Sequence, residues 1–263
     1  MSHPPKYVFS LGYRCSAAGI LKRLQLKVES FPFDWLVSRL PIIEHCIQTD
    51  FREFLEESNY DSLQTNTYHY PTPDSAPNWI CGENIHWNRY YEHEFRFERP
   101  NIYIPKPLKT PRDAYAYRLM MNHKSPTNPD DHAYYERCVT RWRQMSESPD
   151  SKLTLYIHPT QTKDHNDIEA IITELERFHS SISQTMKNYR GLYVIPVRTE
   201  HMYPIDAHVK DVIETVIDKP DCSIAILWAN RDFIDAGEIF MGNMWLETDR
   251  LCEWVAAKYK ESR

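Results

Sequence analysis

The sequence predicts an α/β protein: three layers around a mostly parallel, doubly wound-like sheet, with an aromatic, loop-rich segment inserted over one end. Three observations predict it. From about residue 153 onward, short apolar, β-prone runs alternate with amphipathic helical stretches. The chain opens with a strand, a glycine turn and a helix of the same kind. Between these parts, residues 59–131 are rich in proline and aromatic residues and carry no sustained period. Strands that alternate with helices need crossover connections, and crossovers make parallel sheets. A chain of 263 residues is large enough for one such domain. We therefore expect a single domain, 1–263, with 59–131 as an insertion within it.

The elements follow in order. Tyr7–Leu11 is a short apolar run, Gly12 marks a turn, and Cys15–Leu26 places Ala17, Ala18, Leu21 and Leu24 at helical spacing. In Ser30-Phe31-Pro32-Phe33-Asp34-Trp35, Pro32 holds its predecessor extended. Leu36–Leu55 reads as helical, with Pro41 acceptable in a first turn. Within the insertion, Asn84–Phe97 has room for one or two short strands, and Tyr134–Met145 beyond it reads as a helix. Leu153–His158 is a strand and Asp167–Phe178 a helix with Ile168, Ile171, Ile172 and Leu175 on one face. Gly191–Val197 is a strand, Ala207–Ile217 a helix, Ser223–Ala229 a strand, and Thr248–Lys260 the last helix.

Composition excludes several function classes. Net charge is −6 and no Lys/Arg cluster stands out, so there is no electrostatic footprint for nucleic acid. With only 6 glycines the chain has neither G-x-G-x-x-G nor a Walker A loop, and no cofactor motif is evident. The N-terminus lacks a charged region followed by a long apolar one. Apolar runs such as Ile224–Ala229 fall far short of the ~20 residues of a membrane span. The 6 cysteines form no C-x-x-C pair and there is no H-E-x-x-H, so no metal site is expected. Scattered thiols without a secretory signal point to a reducing compartment, the cytosol.

Cys15 is the most suggestive single residue. It falls just past a strand and a glycine, at the predicted start of a helix, where exposed N–H groups favour a thiolate. Ser10 and Arg14 flank the same turn. The competing role is a buried thiol that packs helix on sheet. A thiolate nucleophile needs a base and a group to orient it. His93 is the first choice of base and His86, beside Trp87, the second. Asp34 could orient the imidazole, or simply cap a helix. Ligands of open α/β sheets bind beyond the carboxyl ends of the strands. That rule adds His158, Arg198, Glu200, His201, Asn230 and Arg231 by position. The aromatic run Tyr68–Tyr91 suits a sugar- or peptide-binding surface, or a loop layer over the sheet.

Ser10-Leu11-Gly12 with Cys15, then Leu21-Lys22-Arg23-Leu24, then Ser30-Phe31-Pro32-Phe33-Asp34-Trp35, resembles a bacterial and large-DNA-virus family of unknown function catalogued as papain-like cysteine peptidases. The family's later H-D-F element corresponds to His93-Glu94-Phe95, and its Arg-rich helix and strand to Tyr135–Trp142 and Leu153–His158. Glu94 and Cys138 depart from the pattern. The resemblance implies Cys15 as nucleophile, His93 as base and Asp34 as orienting group, with a peptide substrate. The architecture it implies differs from the one read above. Papain-like enzymes set the nucleophile on a helix preceded by a loop, whereas this chain feeds that helix from a strand. Two alternatives therefore stand beside a cysteine hydrolase or acyl transferase. One is a glycosyltransferase-type enzyme of surface-glycan assembly, with a nucleotide-sugar at the sheet's carboxyl edge. The other is a non-catalytic binding protein that uses the aromatic insertion.

Overall fold

A computed structural model describes residues 4–12, 14–63, 85–91, 120–121, 124–158, 165–198, 212–229 and 249–262. Five strands form the main sheet. They are β1 (Tyr7–Ser10), β6 (Lys152–Ile157), β7 (Tyr189–Arg198), β9 (Cys222–Ala229) and β8 (Val212–Asp218), in that spatial order. The first four are parallel and β8 is an antiparallel edge strand. A second, antiparallel sheet of four short strands is built from β2 (Leu36–Val37), β5 (Met120–Met121), β4 (Ile85–Asn88) and β3 (Tyr60–Leu63).

Alternation along the strands divides the core into two layers, because successive side chains point to opposite faces. Val8, Leu153, Leu155, Ile157, Leu192, Val194, Ala225 and Leu227 face α1 (Arg14–Arg23) and α6 (Asp249–Glu261). Phe9, Tyr156, Tyr193, Ile195, Ile224 and Ile226 face the other way. They meet α2 (Leu40–Gln48), α4 (Pro129–Glu147) and α5 (His165–Thr185). Helices thus cover both faces, which gives the three layers expected. Apolar burial on both sides explains why β6, β7 and β9 read as near-continuous hydrophobic runs.

Three expectations are revised. Ala207–Ile217 was expected to be helical; its described part instead belongs to β8, paired antiparallel with β9. Val212, Ile213, Thr215, Val216 and Ile217 are β-branched and lose side-chain freedom in a helix. Pro220-Asp221 closes the hairpin, with Lys219 and Cys222 exchanging backbone hydrogen bonds of 2.8 and 3.2 Å. The stretch 36–55 is not one helix. Leu36–Val37 pairs in the small sheet, and α2 starts only at Leu40, with Pro41 in its first turn. Asp50 and Phe51 have φ of 51° and 61°, which ends α2 and offsets α3 (Arg52–Leu55). A left-handed phenylalanine is strained. Phe51 is held there by edge-to-face packing on Phe54 and Trp142, with ring centroids 5.7 Å away in each case. Finally, α4 begins five residues earlier than the periodicity indicates (Pro129 rather than Tyr134). Asn128 caps it by accepting from the Asp130 and Asp131 amides, and Pro129 occupies the first turn.

Candidate active site

The site is organised around the carboxyl end of β1. Leu11 continues the ladder by donating to the Leu155 carbonyl at 3.1 Å. Gly12 then turns the chain with φ +88°. A Cβ on Gly12 would lie 2.3 Å from Ser38 Oγ, 3.0 Å from the Phe33 carbonyl oxygen and 3.3 Å from that of Leu36. Both the dihedral and the crowding therefore require glycine. α1 starts two residues later, and Cys15 lies in its first turn.

Asp34 fastens this turn from below. Its side chain is fully buried and its two oxygens accept from four donors. Oδ1 takes the Ser10 amide at 3.2 Å and the Ser10 hydroxyl at 2.8 Å. Oδ2 takes the Phe31 amide at 2.6 Å and the Lys27 ammonium. Lys27 is itself buried, and it also donates to the Glu29 carbonyl at 2.6 Å. Ser38 Oγ donates to the Leu11 carbonyl at 2.9 Å. The S-x-P-F-D-W loop is thereby stitched to the last residues of β1 on both sides of Gly12. Its apolar residues complete the attachment. Phe31 packs on Phe9 at 5.4 Å, and Phe9, Phe33 and Phe51 surround Trp142 of α4. Arg141 of α4 adds a hydrogen bond of 3.0 Å to the Ser30 carbonyl.

The structure therefore brings Ser10 and Asp34 together. No described imidazole is among Asp34's partners. His158 follows β6 directly, with Nε2 4.0 Å from Glu174 Oε2 of α5. His86 lies on β4, and its Nδ1 is buried without a hydrogen-bond partner among the described residues. Burial pushes the His86 pKa down, partly countered by the negative charge of Asp131. Arg198 ends β7. The side chains of Arg14, Cys15, Trp87 and Arg198 lie outside the described set, as do residues His93, Glu200, His201, Asn230 and Arg231. The run Tyr68–Tyr91 falls mostly outside it as well. Among the described residues no group of three His, Cys, Asp or Glu gathers to hold a metal ion, and no helix is long and apolar enough to cross a membrane.

A cavity of about 490 Å³ opens against the same loop. Its walls are Phe31, Pro32, Trp35 and Leu36 from the loop and Tyr134 and Tyr135 from α4. Ser30 and Lys124 complete the lining. Burial pushes the Tyr134 hydroxyl pKa up, against a hydrogen bond to Ser30. Neither Lys27, Ser38 nor this cavity was foreseen. Lys27 and Ser38 carry no local signal, because their partners lie 7 and 27 residues away.

A family model described as "Putative papain-like cysteine peptidase (DUF1796)" matches residues 6–193, more than half of the chain. The chain belongs to this family. The matched region takes in β1, α1, the S-x-P-F-D-W loop, α4 and β6, the parts that build the site. The chain is also similar to "Uncharacterized protein R408" of Acanthamoeba polyphaga mimivirus, with 40% identity over 76 residues. That match covers 28% of this chain and 33% of the relative, so the chain spans about a third of the relative's length. No solved structure matches.

Proposed function

We propose that the protein is a cysteine-dependent hydrolase, or an acyl transferase by the same chemistry, acting on a peptide-like acyl group. Cys15 is the nucleophile and His93 the base. The observation that carries this reading is the position of Cys15. It lies in the first turn of a helix fed by a strand through an obligatory glycine, in a chain that belongs to a family described by cysteine peptidase chemistry. Backbone N–H groups of a helix's first turn have no intrahelical acceptor. They favour a thiolate, and they are suited to hold the oxyanion of a tetrahedral intermediate.

In this reading the Cys15 sulfur adds to the substrate carbonyl and its proton passes to the imidazole. The tetrahedral intermediate collapses, the imidazolium gives that proton to the leaving amine, and a thioester remains. Water, or a second nucleophile in the transferase case, then displaces the sulfur. Asp34 acts as the brace of the nucleophile turn, since Ser10, Phe31 and Lys27 supply its hydrogen bonds. No observation favours the nucleotide-sugar alternative. The four parallel strands follow one another in chain order across the sheet, whereas the ligand crevice of open α/β sheets sits where that order reverses.

The test is site-resolved alkylation. Each thiol is followed by peptide mass spectrometry as the rate with iodoacetamide is measured against pH. Cys46 and Cys222 serve as internal controls, because burial pushes both thiols up to about 12. Fast reaction of Cys15 below pH 7, slowed in His93→Ala, supports the pair. Inertness of Cys15 until the protein unfolds overturns the reading.

A further inference from the structure

We infer that the cavity between the Ser30–Leu36 loop, Lys124 and the start of α4 is a side-chain pocket that takes a bulky, uncharged apolar residue of a peptide, an aromatic one above all. This inference rests on the hydrolase reading for its place in the reaction, but not for its binding chemistry.

Four features carry it. The first is size and shape. A volume of about 490 Å³ lies within the ~300–1,000 Å³ of small-molecule sites. The second is lining. Phe31, Trp35, Tyr134 and Tyr135 present rings, with Pro32 and Leu36 filling between them. An incoming ring can stack on such walls offset or edge-on, whereas a small side chain leaves them in contact with water.

The third feature is charge. Lys124 is the one charged residue in the described lining, and its charge is already used. Its Nζ lies 2.7 Å from Asp131 Oδ1 and 4.7 Å above the Tyr134 ring. A carboxylate or ammonium entering the pocket would lose its water and find no free counter-charge among the described lining residues, which is unfavourable. Leu36, Met121 and His86 are direct cross-strand neighbours, so their side chains share one face of the small sheet. His86, next along this row and only 5% exposed, carries an unpartnered Nδ1, and burial favours its neutral form.

The fourth is location. Leu36 lines the cavity, and its carbonyl oxygen is 3.3 Å from where a Gly12 Cβ would stand. Gly12 precedes Cys15 by three residues, so their Cα atoms are at most about 11 Å apart. A peptide that lays its carbonyl at Cys15 therefore has this cavity within reach of a neighbouring side chain.

The experiment uses full-length Cys15→Ser protein, which binds without turnover. N-acetyl amides of tryptophan, phenylalanine, glycine, glutamate and lysine are titrated against it, followed by calorimetry and by the Trp35 indole NMR signal. The aromatic amides are expected to bind at least tenfold more tightly than the other three and to shift Trp35. Trp35→Ala should weaken that binding tenfold or more. Ser30→Phe fills the cavity instead of emptying it, and it provides the same test should Trp35→Ala fail to fold. Lys219→Met, in the β8–β9 turn and outside the lining, should leave the aromatic preference within threefold. Equal binding of all five amides, no binding, or preference for glutamate overturns the pocket. The two readings fail separately. Inert Cys15 with selective aromatic binding removes the hydrolase and keeps the pocket. Reactive Cys15 without selectivity does the reverse.

Discussion

Replacing Asp34 by alanine tests the central structural claim, that this carboxylate is the brace of the β1–α1 turn. The substitution removes the acceptor of four donors at once. The largest consequence is at Lys27, whose side chain is 7% exposed and would keep a buried ammonium without its counter-ion. Breaking a buried pair by removing one partner costs about 3–5 kcal/mol. The Ser10 and Phe31 amides also lose their acceptor, at about 1–3 kcal/mol each, although such terms do not simply add. A net loss of about 3–5 kcal/mol is therefore expected, a large share of the ~5–15 kcal/mol that holds a domain together. The assay is urea unfolding followed by circular dichroism, with the alkylation rate of Cys15 measured on the folded fraction. The double variant Asp34→Leu, Lys27→Met keeps the volume apolar and removes both charges. It should recover much of the loss, because an apolar replacement of a buried ion pair is often near neutral. A loss under about 1 kcal/mol in Asp34→Ala, or no recovery in the double variant, would refute the reasoning that the pair is buried and mutually dependent.

Three further outcomes are expected. Gly12→Ala forces a β-carbon into φ +88° and to within 2.3 Å of Ser38 Oγ, so it should lose about 1–3 kcal/mol in the same urea assay. Adding Ser38→Gly should return only part of that loss, since the dihedral strain remains. Lys152→Met removes an ammonium that donates to the Ser148, Asp150 and Lys187 carbonyls at 2.7, 2.9 and 3.0 Å. It should cost about 1–3 kcal/mol, read from the urea midpoint, because three acceptors where α4, β6 and the α5–β7 turn meet lose their donor. Acid should destabilise the fold through His86 and His179, whose pKa values burial depresses. For such groups stability is full above their ordinary value of about 6.5 and falls as pH drops below it, because only the unfolded chain takes up the proton. Urea midpoints at pH 7.5 and 5.5 should therefore differ, by less in His179→Gln than in the parent. An equal difference would show that His179 protonates alike in both states.

The parts legible in the sequence share one property: their signal is local or periodic. β6, β7 and β9 stand out as apolar runs because helices bury both of their faces. α5 stands out because Ile168, Ile171 and Leu175 repeat on one face. β8 was misread because its apolar positions fit helical spacing as well as strand alternation. What decided the matter was β-branching together with a turn at Pro220-Asp221 that pairs it with β9. The turn around Gly12 was readable for the same local reason. The partners of Asp34 were not. Its position before Trp35 suggested a cap or an imidazole partner, both short-range roles. Besides the nearby Phe31 amide, its donors come from Ser10, 24 residues back, and from Lys27, seven residues back. A buried polar hub of this kind is fixed by tertiary contact, and no spacing rule encodes it.

The fold also bears on how the family description is to be understood. A cysteine in the first turn of a helix can be activated on unrelated scaffolds, because the chemistry depends on exposed amides and a nearby base and not on the surrounding architecture. Here the helix is fed by an edge strand of a mostly parallel sheet, and the turn between them is clamped by Asp34, Ser38 and Gly12. Such a clamp fixes where the helix begins, and hence where its unpaired N–H groups point. A longer loop into the helix would leave that direction free to vary. The S-x-P-F-D-W element then does two kinds of work. Asp34 holds the β1–α1 turn, while Phe31, Pro32 and Trp35 wall the apolar cavity. One six-residue segment thus touches both the turn that leads to Cys15 and the cavity. A change that shifts the loop should alter reactivity and selectivity together, whereas a change confined to Trp35 should alter selectivity alone.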